Sequence, residues 1–100
     1  MVIYVDIDGT ICSQEDDYSL AKPNYNRINK INKLYAAGHE IIYWTARGTV
    51  TGKRWFDITI KQLNKWGAKY HELRMGKPFY DLVICDKSKR IEELQYEELV

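Results

Sequence analysis

Two carboxylates sit two residues apart directly after an apolar run: Asp6 and Asp8 follow Val2-Ile3-Tyr4-Val5, and Gly9-Thr10 comes next. Alternate side chains on a strand share a face. Even with a kink after Asp6, both acids can converge on one point. Two carboxylates leaving a hydrophobic strand together are costly unless positive charge lies between them. A hard divalent cation, alone or with a phosphate substrate, answers that need. A calcium loop is a poorer fit, because Asp8-Gly9-Thr10 lacks the further acidic ligands and the closing Glu of such a loop.

Further along, other polar residues follow apolar runs in the same way. Thr45 comes after Ile41-Ile42-Tyr43-Trp44, Asp86 comes after Leu82-Val83-Ile84-Cys85, and Lys77 lies in Gly76-Lys77-Pro78. A hydroxyl at the C-terminal end of a parallel strand lies where open α/β sheets bind ligands. Asp81 is a rival to Asp86. It precedes its strand, however, and five residues at about 3.3 Å each put it some 16 Å away, at the wrong end of the sheet. Gly48 to Arg54 approximates a nucleotide-binding P-loop but is one residue short between its glycines. Arg54 also stands where a Ser or Thr should hold magnesium. A milder role for Arg47, Lys53 and Arg54 is contact with an anionic part of a substrate. Asp17 or Tyr18 can face substrate from the loop over residues 11–22, which reads equally well as plain surface. His71 reads as a strand residue without a chemical role.

The elements that must position these groups follow from periodicity. Val2–Val5, 41–44 and 82–85 are short, β-rich apolar runs of the kind buried in a parallel sheet. Residues 68–73 read as a short edge strand. Pro23-Asn24 opens a helix whose stripe is Ile28, Ile31, Leu34 and Tyr35, with Asn26, Arg27, Asn29 and Lys30 facing water, and Gly38 ends it. A second helix is expected from about Lys53 to Trp66, with Trp55, Ile58, Leu63 and Trp66 as its stripe, Thr59 and Gln62 between them, and Gly67 behind. Ser88 is expected to cap a last helix carrying Ile91, Leu94 and Leu99. Strand, helix, strand in this space makes right-handed crossovers and parallel strands.

The whole chain sets the outer bounds. One hundred residues make one domain, 1–100. Hydrophobic residues are 45% and charged residues 29%, an ordinary globular balance. A net charge of +1 gives no bulk attraction to nucleic acid or anionic membrane. No apolar stretch approaches the roughly 20 residues of a membrane span. Met1-Val2-Ile3 leads straight into a strand, which leaves no room for a signal peptide. Cys12 and Cys85 form no CxxC motif and read as reduced thiols. The expected setting is cytoplasmic.

Asp6-Ile7-Asp8-Gly9-Thr10 resembles the first motif of the haloacid dehalogenase (HAD) superfamily. Thr45, Lys77 and Asp86 stand, in order, where its second, third and fourth motifs would fall. The resemblance covers essentially the whole chain. It implies an α/β three-layer sandwich, a HAD-like Rossmannoid fold with a central, mostly parallel sheet, strand order 3-2-1-4 and no cap domain. It also implies a magnesium-dependent phosphomonoester hydrolase working through an aspartyl-phosphate. Asp6 would be the nucleophile, Asp8 the acid and base, and Thr45 and Lys77 would contact the phosphoryl group. Gly9, Thr10, Ala46 and Arg47 would line the substrate. Asp6, the backbone carbonyl of Asp8, and Asp86 would hold Mg2+.

Two departures stand out. Many relatives carry two adjacent acids where this chain has Cys85-Asp86. They also place a helix where this chain has only Pro78 to Asp81. The wording Val-Asp-Ile-Asp-Gly-Thr-Ile-Cys and Gly-Lys-Pro-Phe-Tyr-Asp is similar to small bacterial HAD proteins associated with capsule or surface-polysaccharide biosynthesis. The expected partner is a small phosphorylated metabolite, a phosphosugar or nucleotide, and a homo-oligomer is compatible with the open site. A phosphate-binding regulator with a decayed site is one alternative; a nucleic-acid-end phosphatase is another, which the near-neutral charge disfavours.

Overall fold

The computed structural model describes residues 1–52 and 54–95. Three strands, β1 (Val2–Val5), β2 (Glu40–Trp44) and β3 (Glu72–Arg74), form a parallel sheet in the order β1-β2-β3. Val2 lies opposite Glu40 and Val5 opposite Tyr43; Ile42 lies opposite Glu72 and Trp44 opposite Arg74. The crossovers are helices α1 (Tyr25–Ala36) and α2 (Phe56–Lys65). Right-handed crossovers that step the same way along a sheet put both helices on one face. The core agrees: Ile28, Ile31 and Leu34 of α1 pack with Leu63 of α2, Trp66, Val5, Ile41 and Tyr43. Ile41 and Tyr43 share that face, and Ile42 and Trp44 point to the other. The chain is thus a small α/β fold, with two layers among the described residues.

Both helices end as their glycines dictate. Gly38 and Gly67 have φ of +99° and +73°. Behind α1, His39 N–H bonds Leu34 C=O at 3.1 Å and Gly38 N–H bonds Tyr35 C=O at 3.1 Å; Ala68 to Leu63 and Gly67 to Asn64 repeat the pattern behind α2. This paired closure satisfies carbonyls that a helix end leaves open. At its start α1 is capped by Asn24, whose side chain accepts from Arg27 N–H, and Pro23 stays outside the helix. α2 begins at Phe56. Its buried positions are Thr59 and Leu63, and Ile58 is exposed, so the stripe is rotated from the expected one.

The largest difference lies after β3. Leu82-Val83-Ile84-Cys85 is not a strand, and every residue from 78 to 90 is exposed. β1 therefore lies at the edge of the described sheet instead of its centre, and the order 3-2-1-4 is not formed. Among the described residues the stretch expected to form the last helix shows a 3-10 turn at Ile91–Glu93. Ser88 donates to Cys85 C=O instead of capping a helix. Ile91 and Leu94 do pack on the core; Leu99 lies outside the described residues, as does Lys53, where α2 was expected to start. No helix among the described residues is long and apolar enough to cross a membrane.

Tyr43 is fully buried, and its hydroxyl has no hydrogen-bond partner. Burial drives its pKa well up. An unmade hydrogen bond in the core costs about 1–3 kcal/mol. Tyr43→Phe removes that atom and keeps the ring, which packs edge-on against Tyr70. The variant is expected to unfold at the same or a higher denaturant midpoint; a clear loss of stability would show that the hydroxyl has a partner in solution.

Candidate active site

The turn after β1 is built on Ile7, which has no exposed surface. Its carbonyl accepts from Thr10 N–H at 3.1 Å and Ile11 N–H at 2.9 Å, while Gly9 N–H bonds Cys12 C=O at 2.9 Å. Gly9 has φ of +79°, which few other residues adopt without strain. With Ile7 pinned in the core, Asp6 and Asp8 flank it at the head of the sheet. The Thr10 hydroxyl donates to Asp6 at 3.3 Å.

Each carboxylate meets its own cation. Lys77 Nζ lies 3.2 Å from Asp6 Oδ1. Arg47 grips Asp8 as a fork, Nε donating to Oδ2 and Nη2 to Oδ1, each at 2.9 Å. Arg47 is 2% exposed, so its remaining donors also need partners. Nη1 donates to Thr59 at 3.0 Å and to Gln62. Gln62 in turn donates to Tyr18 C=O at 2.7 Å, and the Tyr18 ring stacks under the guanidinium, 4.9 Å away. Thr59 and Gln62 are thus the polar pair on α2 that seats a buried arginine.

A cleft of about 210 Å³ opens over these groups, lined by Asp6, Asp8, Tyr18, Arg47, Lys77 and Tyr80 among others. A groove of about 620 Å³ lies beside it, walled by Gly9, Ser13 and residues 22–27. It holds no carboxylate, whereas the smaller cleft holds two. There a half-exposed carboxylate, Asp6, stands beside an ammonium that can neutralise an incoming anion.

Lys77 reaches the site by a direct route. Its N–H bonds Thr45 C=O at 3.0 Å, continuing the ladder past β3, and its own C=O accepts from the Thr49 hydroxyl. Thr45 is 1% exposed, and its hydroxyl oxygen accepts from Arg47 N–H at 3.1 Å. It does not line the cleft, so what it shapes directly is the turn that carries Arg47. Ala46 does line the cleft. Arg47 lines the cleft as well, and four of its N–H groups are committed to Asp8, Thr59 and Gln62, so it also positions Asp8. Arg54 is exposed. Asp17 caps the 3-10 turn at Tyr18–Leu20 through Ser19 N–H, and Tyr18 does face the cleft. His71 is structural: its Nδ1 accepts from Ile41 N–H at 3.1 Å and its ring stacks on Tyr35.

Asp86 is exposed within residues 78–90 and does not join Asp6 and Asp8. Among the described residues no three His, Cys, Asp or Glu side chains come close enough to hold a metal ion. Within one chain the donors available to Mg2+ are therefore Asp6, held by Lys77, and Asp8, held at both oxygens by Arg47. The implied set is the Asp6 carboxylate, the Asp8 backbone carbonyl and Asp86; among the described residues Asp86 stands apart from the other two, so the set is not assembled within one chain.

Comparison with known proteins adds one likeness. A crystal structure of a Vibrio cholerae protein, described only as an MCSG target, superimposes with a TM-score of 0.88 at 27% identity. The match covers 99% of this chain and 94% of that one. No protein-family model matches the chain, and no curated protein matches it.

Sequence reasoning missed Gln14, Phe79 and Tyr80 as lining residues, and missed what Thr59 and Gln62 do. Two polar residues three apart on a helix face otherwise apolar were the available signal for the second pair. It also missed Arg27, which leaves the water-facing side to donate to the carbonyls of Gly9 and Thr10 at 3.4 and 3.3 Å.

Cys12 is buried beneath the site, with Sγ 3.6 Å from Asp8 Oδ1. Burial, reinforced by Asp8, pushes its thiol up from an ordinary 9.0 to about 12. The folded state then holds this proton more tightly than the unfolded state. The stabilisation is full below about pH 9 and is lost as pH rises towards 12. In a Cys85→Ser background, Cys12 is expected to resist a thiol reagent at pH 8 until the protein is unfolded. Rapid labelling of the native protein would contradict this.

Proposed function

We propose that the chain is a HAD-type phosphomonoester hydrolase in which Asp6 is the phosphoryl acceptor. The observation that carries this reading is the Asp6–Lys77 pair in an open cleft, with Asp8 fixed two residues on. A phosphate ester approaching Asp6 meets a carboxylate, and repulsion between the two is the main obstacle to attack. Lys77 lies where it offsets that repulsion. An Asp6 oxygen attacks phosphorus, the bond to the leaving oxygen breaks, and an aspartyl-phosphate forms. Asp8, ionised beside Arg47, first takes up a proton from solvent and passes it to the leaving oxygen; it then takes a proton from the water that attacks phosphorus, which frees Asp6 and releases phosphate. Since both Asp8 oxygens accept from Arg47, one tooth of that fork opens for each proton transfer. No step is routed through magnesium, which the family resemblance implies and which would be held by Asp6, the Asp8 backbone carbonyl and Asp86.

The small cleft favours a small phosphorylated metabolite, a phosphosugar or nucleotide. The wording of the motifs supports a place in capsule or surface-polysaccharide biosynthesis, in the cytoplasm. The test is hydrolysis of an aryl phosphate with magnesium and with chelator, followed by a screen of phosphosugars and nucleotides. Turnover of small phosphates at rates insensitive to salt supports a metabolite phosphatase over a nucleic-acid-end enzyme. Absence of turnover across the whole screen would favour a phosphate-binding protein.

A further inference from the structure

Residues 78–90 form an arm, exposed along its whole length. It carries Phe79 at 72%, Leu82 at 77%, Val83 at 51% and Ile84 at 91% exposure. Such a run is ill suited to water. Its composition is that of a buried strand. Among the described residues β1 pairs only with β2, so its outer edge presents unpaired backbone groups next to Val2 and Tyr4, both exposed. An open edge and a strand-like arm are complementary features.

The arm does not reach its own edge. Lys77 is bonded beside β2, at the far end of the strands. A strand beyond β1 lies three inter-strand spacings across and four residues down, about 19 Å in a straight line through the sheet. The five steps from Lys77 to Leu82 span at most about 18 Å, and a path around the sheet is longer. A second copy removes that constraint.

We infer that two copies of this chain exchange arms, with Leu82–Cys85 of each adding as a parallel strand to the β1 edge of the other. The lengths match: four apolar residues then Asp86 in the arm, and four apolar residues then Asp6 in β1. That register sets Leu82 by Val2, Ile84 by Tyr4, and Asp86 of the partner subunit by Asp6. The site that lacks the Asp86 carboxylate within one chain gains it from the other. This last consequence rests on the phosphatase reading; the arm exchange does not.

Two measurements test it. In the first, Tyr4→Cys and Ile84→Cys are combined with Cys85→Ser and oxidised, and the product is run without reductant. A disulfide-linked dimer that each single cysteine variant fails to give is expected, together with sedimentation of the unmodified protein as a dimer. A cross-linked monomer, a dimer formed by Ile84→Cys alone, or a monomeric unmodified protein overturns the exchange. In the second, differently tagged Asp6→Asn and Asp86→Asn chains are co-expressed and the mixed dimer is isolated. Exchange gives one intact site in two, so about half the unmodified activity; sites confined to single chains give none, and that result overturns the shared site. If the unmodified protein hydrolyses no phosphate ester, the phosphatase reading fails and the cross-link alone decides the exchange.

Discussion

Replacing Arg47 with methionine is expected to destabilise the protein by about 3 kcal/mol, the range seen when one partner of a buried ion pair is removed. In a chain of this size that lowers the melting temperature by roughly 10–20 °C. The Arg47 side chain has no exposed surface and the Asp8 side chain is 13% exposed, so water screens the pair little. Methionine fills similar space but leaves Asp8 with a charge and no counter-charge, and strands Thr59 and Gln62. The companion experiment is Arg47→Met with Asp8→Leu. Removing both charges is expected to restore part of the lost stability, since the penalty in the single variant is largely that of an unpaired carboxylate. A single variant that melts within a few degrees of the parent would show that the fork is not formed in solution.

Asp6→Asn is expected to lower phosphatase turnover by at least about a thousandfold, because an amide does not supply the attacking oxygen. The same change should leave the fold nearly untouched. Asp6 is 38% exposed where it meets Lys77, and pairs of that exposure contribute no more than about 1 kcal/mol. A large loss of rate with a small change in melting temperature separates a chemical role from a structural one. Turnover retained in Asp6→Asn would move the nucleophile elsewhere.

These two residues also mark what could be read from the sequence. The acids after β1, the stripe Ile28, Ile31 and Leu34, and both glycine-closed helices follow from local rules: strand alternation, helical period and the left-handed turn. Those signals need no knowledge of the rest of the chain. Arg47 was harder, because a basic residue after a strand looks alike whether it faces substrate or is swallowed by α2. Only the depth of the turn at Thr45 and the rotation of α2, which brings Thr59 and Gln62 inward, show what holds its guanidinium. The fourth strand failed for a different reason. Leu82 to Cys85 has the composition of a strand, but a strand exists only when an edge accepts it, and the chain after Lys77 is too short to reach its own. Composition records that the segment is to be buried and is silent on where.

The central claim is that Asp6 carries the phosphoryl group, and its most direct test is to catch it there. The protein would be mixed with a hydrolysable aryl phosphate, quenched in acid during turnover, reduced with borohydride and digested. Aspartyl-phosphate is converted to homoserine by that treatment, whereas free aspartate is not. Homoserine at position 6, absent in the sample quenched without substrate, is the predicted result. Turnover with position 6 recovered only as aspartate, or homoserine found at position 8, would contradict the account.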